Sequence, residues 1–387
     1  MVLTDDQKAL QESARRFARE RLLPEYQKRE KHGRLERDLV AEMGRLGFLG
    51  MDLPEELGGM GADAVTTGLI TEELAYGDFN VSAVPVGISL NGAILMRHAA
   101  PEVRRAWVPR MCRGDAVVAI CLTEPRGGSD ASNLQLKARR EGEHYVINGE
   151  KTSITFADRA DAYLIFARTG SAAEGARGVS AFFIPYEGKD GSTGGISRTK
   201  FDDVGSAIIG RGSVFFDGVR VPASRRLGDE GKGFTQVMQG FDYSRALIGL
   251  QCVGAAQASL DEAWAYAKER EAFGRPIGQF QGVSFPLAEY ESQIAAVRQL
   301  CYHALALRDA GLPHTAEAAM CKWMGPKTAF DVIHNCLLTF GHYGWSKDLP
   351  HQQRLRDVMG LEIGDGTAGV MKMIIARERI GRAAVQY

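Results

Sequence analysis

Apolar residues recur every three or four positions from residue 4 to about 115, the spacing that gathers one stripe on a helix. Thr4 and Asp5 stand where a first helix would be capped, and Leu10, Ala14, Phe17 and Ala18 follow along its apolar face. Pro54-Glu-Glu-Leu-Gly-Gly-Met-Gly61 interrupts this pattern as a loop. From about 116 to 225 the period shortens toward two, which predicts strands at 117–122, 145–147, 163–167, 179–184 and 214–221. Asn148-Gly149 is predicted as the turn of a hairpin. Past about 230 the helical period returns, with long helices at 253–272 and 283–308, the second stopped by Gly311-Leu-Pro313. The order is helices, then strands, then helices. It divides the chain into an α-helical domain at 1–115, a β domain at 116–228 and a second α-helical domain at 229–387, with no repeat or low-complexity linker.

Composition narrows the function classes. At 387 residues the chain has room for two or three domains with cores of their own, and 45% hydrophobic with 25% charged residues is a globular composition. A net charge of -1 gives no whole-chain reason to expect nucleic acid or an anionic membrane as partner, and basic pairs such as Arg104-Arg105 and Arg139-Arg140 read as solvated faces. No basic segment followed by an apolar run opens the sequence, and no apolar stretch reaches the ~18 residues of a membrane span, so a soluble cytoplasmic protein is expected. The six cysteines are scattered without a Cys-x-x-Cys pair, and Cys301 shares a stripe with Ile294, Val297 and Ala304, as a buried thiol would. Metal-binding, P-loop, nucleophile-elbow and Rossmann signatures are all missing.

The most informative run is Cys121-Leu-Thr-Glu-Pro-Arg-Gly-Gly-Ser-Asp130. Pro125 presets φ for a turn, Gly127 and Gly128 remove Cβ atoms, and Thr123 and Ser129 place hydroxyls at its two ends, so a polar ligand can lie across it. An ordinary Pro/Gly turn after a strand has the same residues. Further on, Arg270-Glu-Ala-Phe-Gly-Arg-Pro-Ile-Gly-Gln-Phe-Gln281 closes a helix with an arginine suited to a pyrophosphate, whose planar fork donates two bonds at once. A helix-terminal arginine satisfying dipole and solvent is the plainer account of Arg270.

These segments, with Lys151-Thr-Ser-Ile-Thr-Phe156, Phe241-Asp-Tyr-Ser-Arg245 and Glu362-Ile-Gly-Asp-Gly-Thr367, resemble the acyl-CoA dehydrogenase family from end to end. The resemblance implies an α+β fold in three domains: N-terminal helices, a β-barrel-like middle and a C-terminal four-helix bundle. It implies FAD, an acyl-CoA substrate, an electron-transfer flavoprotein as acceptor, and a homotetramer. Cys121, Thr123, Gly128, Ser129, Ser153 and Thr155 would face FAD, with Thr155 near flavin N5; Arg270, Phe273 and Gln281 would reach FAD bound mainly by a neighbouring subunit. Ser129, Asp242, Arg245 and Gly366 would meet the substrate, and Thr367 the flavin phosphates. Gly341 is also carried over, although Leu338-Thr-Phe-Gly-His342 lacks the Gln and one Gly of the family pattern. Ser153 and Phe156 replace the usual Trp and Asn, which leaves one flavin face less covered, or covered by Phe156.

Where the family motif has a catalytic Glu before Gly-Thr, this chain has Asp365. Alone, Gly-Asp-Gly is a turn; within this resemblance Asp365 is the expected base, because Ser244 occupies the alternative position before Arg245. Asp is shorter than Glu by one bond, roughly 1.5 Å, so loop or substrate must come closer. An Asp here resembles two minority groups, dehydrogenases of alicyclic thioesters such as cyclohexanecarboxyl-CoA and nitroalkane oxidases. Tyr343-Gly-Trp-Ser-Lys-Asp-Leu-Pro350 looks more like the first. A flavin oxidase, acting on an acyl-CoA or a nitroalkane, and a non-enzymatic binding protein on the same scaffold are the alternatives.

Overall fold

The computed structural model describes residues 2–186, 194–381 and 383. Six helices come first: α1 (Asp5–Phe17), α2 (Tyr26–His32), α3 (Arg37–Arg45), α4 (Ala64–Gly77), α5 (Ala83–His98) and α6 (Pro101–Cys112). The Thr4 hydroxyl accepts from Gln7 N while the Gln7 side chain accepts from Thr4 N, a reciprocal cap at the expected start of α1.

Eight strands follow: β1 (Val118–Cys121), β2 (Lys137–Glu141), β3 (His144–Ile154), β4 (Ala162–Arg168), β5 (Val179–Pro185), β6 (Ile196–Arg198), β7 (Gly212–Pro222) and β8 (Arg226–Leu227). They form one sheet in the order β6-β7-β3-β2-β4-β5-β8, with β1 alongside β4 in parallel. The sheet curls until the chain leaving β1 meets β3, where Thr152 N donates to Thr123 O at 2.9 Å. Asn148-Gly149 does not turn a hairpin. β3 runs straight through it with a bulge between Ile147 and Gly149, and Asn148 Oδ1 accepts from Gly218 N across the sheet at 2.8 Å. The hairpin lies six residues earlier, between β2 and β3, where Gly142 takes φ 59°.

The last third is α7 (Gly233–Glu269), the short strands β9 (Glu271–Ala272) and β10 (Arg275–Pro276), α8 (Gln281–Asp309), α9 (Thr315–Thr339), α10 (His351–Ile363) and α11 (Ala368–Ile380). α7 packs on α8 and α9, and α10 and α11 lie against α9. The helix predicted at 253–272 is the second half of α7, which spans 37 residues and is capped by Arg270, and 271–272 belong to the β9–β10 hairpin instead. Glycines hid the first half. Gly249 is there because α7 packs closely on both neighbours: a Cβ on it would stand 2.5 Å from Cys301 Sγ on α8, and one on Gly325 of α9 would stand 2.7 Å from the Gly249 Cα. Cys301 is fully buried in this bundle, and all six cysteines are free and buried.

Asp357 on α10 joins the three parts of the chain. Its carboxylate, 1% exposed, accepts from Tyr26 OH (2.5 Å), Asn80 Nδ2 (2.8 Å) and the Ser206 amide (2.6 Å), which come from the first helices and from the β region. No helix among the described residues is long and apolar enough to cross a membrane.

Candidate active site

β1 and β3 end side by side, and this brings two of the sequence segments together. Thr123 follows β1, Thr155 follows β3, and the Thr152–Thr123 bond ties them. Thr123 and Thr155 are half-buried, and Gly127, Gly128 and Ser129 are exposed on the loop beyond Thr123. A Cβ on Gly128 would press to 3.3 Å from Thr123 Cγ2, so glycine keeps that threonine clear. Behind the loop, Glu124 accepts from the amides of Gln135 (2.5 Å) and Leu136 (2.9 Å) and from Lys151 Nζ (2.7 Å), and Lys151 also donates to Leu122 O at 2.9 Å. The Lys151 and Glu124 side chains are 0% and 6% exposed. Burial pushes the Lys151 ammonium below its ordinary range, with the charge of Glu124 opposing it. This ion pair fixes the 121–129 loop to β3.

Two of the residues named for this face are buried. Cys121 is fully buried, and burial raises its thiol well above the usual range, so its side chain belongs to the core and only its backbone remains for a ligand. Phe156, 4% exposed, also packs in the core. Ser153 is the exposed member, at φ 57°, with Arg211 Nη1 on its hydroxyl at 3.0 Å and Asp203 pairing with the same arginine.

Asp365 stands exposed on the turn between α10 and α11, at φ 54°, with Gly366 following at φ 103°. Asp tolerates this left-handed conformation better than most residues. Two buried cations lie behind it. Arg245 on α7, 4% exposed, pairs with Asp242 at 3.1 Å, and Thr315 donates to the other Asp242 oxygen at 2.7 Å. Burial lowers the Arg245 guanidinium, and the charges of Asp242 and then Asp365 act against that. Lys322 on α9 donates to Leu361 O and Gly366 O. Arg245 is thus buried and held by Asp242, while Lys322 is bonded to the turn itself. Thr367 caps α11 by accepting from Val370 N at 3.3 Å, which leaves its own proton to donate, and the helix N-terminus offers further amide donors there.

Arg270 ends α7, and Phe273 with Gly274 makes the tip of the β9–β10 hairpin at φ 52° and 76°. Arg270, Phe273 and Gln281 are all exposed, Phe273 at 95%. Gly341, at φ 60°, is exposed just beyond α9.

Sequence profiles of this arrangement match nearly the whole chain: acyl-CoA dehydrogenase N-terminal domain at residues 4–115, middle domain at 119–219 and C-terminal domain at 231–380. The chain belongs to the acyl-CoA dehydrogenase family. A probable acyl-CoA dehydrogenase of Bacillus subtilis is 35% identical over 379 residues, covering 97% of this chain and 98% of that protein. A 3-(aryl)acrylate reductase of Clostridium sporogenes is 33% identical over 379 residues, covering 97% and 99%. The structure of butyryl-CoA dehydrogenase from Megasphaera elsdenii superposes with a TM-score of 0.93 at 32% identity, covering 98% of this chain and 99% of that one.

FAD is the cofactor of an acyl-CoA dehydrogenase, and the donor set here fits it. The hydroxyls of Thr123, Ser129 and Thr155 suit a polar ring system lying against glycine backbone, and the α11 N-terminus with Thr367 suits phosphate. Among the described residues no cluster of His, Cys, Asp and Glu could hold a metal ion. Sequence reasoning overlooked Glu124, Lys151 and Lys322. The signal was present: Lys151 occupies an inward position of an alternating strand, and Lys322 interrupts the stripe Ala318, Ala319, Cys321, Gly325, Ala329.

Proposed function

We propose that this acyl-CoA dehydrogenase removes the α and β hydrogens of an acyl-CoA thioester, with Asp365 as the base. The observation that carries the reading is the exposed Asp365 carboxylate on its glycine-flanked turn, with Arg245 and Lys322 buried behind it. Bound FAD supplies the acceptor for the β hydrogen and its electron pair. Asp365 takes the α proton, so the α C–H electrons become the new C=C bond as the β hydrogen departs as hydride. Arg245 and Lys322 set positive charge behind the turn, and the step requires the carboxylate within hydrogen-bond reach of the α proton. Amides of the turn, including that of Gly366, are the available donors for a thioester carbonyl whose oxygen gains charge. Thr123, Ser129 and Thr155 orient the cofactor, and the Glu124–Lys151 pair keeps their two segments in register.

The finer reading is a cyclic acyl group. The base is one bond shorter than Glu, which leaves room for a bulkier α carbon, and a relative is named for aryl acrylates. Cyclohexanecarboxyl-CoA is expected to reduce the flavin faster than butyryl-CoA or octanoyl-CoA; a kcat/KM tenfold higher for a straight chain would sink the cyclic assignment and leave the reaction class standing. An electron-transfer flavoprotein is the proposed acceptor in the same cytoplasmic setting. Rapid reoxidation of substrate-reduced flavin by air would point to an oxidase instead. Exposed Phe273, Phe285, Leu338 and Trp345 on the C-terminal part are the apolar surface that a homotetramer would cover, and the exposed Arg270 and Gln281 would then serve a neighbour's FAD. A flavin-loaded monomer in sedimentation would contradict that assembly.

A further inference from the structure

We propose that Lys322 is the positioning residue of the base: its ammonium bridges the two carbonyls between which the Asp365 turn is strung, and so fixes where the carboxylate stands. This rests on Asp365 being the base. Lys322 lies on α9, 1% exposed, and its Nζ donates to Leu361 O at 2.5 Å and to Gly366 O at 3.1 Å. Leu361 is in the last turn of α10, where carbonyls lack helical partners and the helix dipole favours a cation. Gly366 directly precedes Thr367, the cap of α11. One ammonium therefore joins three helices around the turn.

The turn needs such a tie. Its Asp365 and Gly366 both sit at positive φ, a conformation that is unfavourable for a residue with a Cβ. Asp365 is exposed, so packing does not hold its side chain in place. Lys322 is costly where it is, since burial lowers its ammonium; the charge of Asp365 is the largest influence opposing that, followed by Cys252 and Glu362, while Arg245 adds to the lowering. A lysine kept in this apolar stripe without reaching solvent is spent on the two carbonyls. The geometry makes it act on Asp365 through the backbone, since its hydrogen bonds go to the turn and not to the carboxylate.

The test compares full-length wild type with Lys322→Met, Lys322→Gln and Lys322→Arg. Hydrogen exchange of the peptide spanning 361–370 is read by mass spectrometry, alongside FAD content and anaerobic flavin reduction by acyl-CoA. Lys322→Met is expected to keep FAD, to exchange faster in that peptide, and to lower the limiting reduction rate at least ~10-fold, since small misplacement of a reacting group is costly. Half-saturation should change by less than ~3-fold, and Lys322→Arg should recover part of the rate by donating to the same carbonyls. If Lys322→Met does not fold, Lys322→Gln, which can still bond one carbonyl, gives the same comparison. Wild-type exchange at 361–370 in the neutral variant, or an unchanged reduction rate per bound flavin, overturns the proposal. If no thioester reduces even the wild-type flavin, the dehydrogenase reading fails, while the exchange result still decides whether Lys322 holds the turn.

Discussion

Asp365→Asn is expected to purify with FAD, to bind acyl-CoA nearly as wild type does, and to reduce its flavin at least ~10²-fold more slowly, the lower end of what a positioned general base contributes. Binding should survive because Asn keeps the shape of Asp and the turn is held from beneath by Lys322 and not by the carboxylate. Asp365→Glu is the informative partner. It pushes the carboxylate forward by roughly 1.5 Å, into space that a bulky acyl group would need, so activity should shift toward slimmer chains. Stopped-flow reduction of the Asn variant at near wild-type rate would remove Asp365 as base and turn attention to Glu362, in the last turn of α10.

The other large effect is expected at the buried ion pair. Lys151→Met leaves Glu124 charged, buried and facing only two amides, and breaking a pair of this kind costs about 3–5 kcal/mol. The Thr152–Thr123 contact that joins the two cofactor segments lies next to the pair, so FAD retention should fall together with thermal stability. Variant protein should emerge with less than full FAD and regain it only in excess cofactor. The double variant Glu124→Leu/Lys151→Met should be more stable than either single change, because it leaves no uncompensated charge behind. Full FAD occupancy and an unchanged melting temperature in Lys151→Met would show that the pair does not hold the loop.

The order of helices, strands and helices was legible because burial patterns differ along the chain: β4 and β5 are buried throughout, whereas α1 is buried on one stripe. Thr4 with Gln7 is a local signal, and the structure uses it locally. Other signals were tertiary. Asn148-Gly149 has the chemistry of a tight turn, yet Asn148 bonds across to Gly218 and the strand continues, because pairing with β7 outweighs the local preference. The first half of α7 was obscured by glycines placed for close helix contact, a requirement set by α8 and α9 and invisible in the window around residue 249. The motif-bearing positions Thr123, Thr155 and Asp365 could be picked out from sequence. The buried lysines behind them showed only as polar positions inside apolar patterns, and what they hold depends on carbonyl and carboxylate partners far away in the sequence. Cys121 and Phe156 show the converse: a motif gives position along the chain and not the direction of a side chain.

The central claim is that an acyl thioester delivers an electron pair to bound FAD only as Asp365 takes its α proton. Anaerobic titration of the purified protein with straight, branched and cyclic acyl-CoAs, followed by flavin absorbance, tests it most directly. The account predicts that at least one thioester bleaches the flavin and yields its α,β-unsaturated product, that α-deuteration slows the wild-type reaction, and that Asp365→Asn bleaches at least ~10²-fold more slowly. A flavin that no member of the panel bleaches, or one bleached equally fast with Asn at 365, would contradict it.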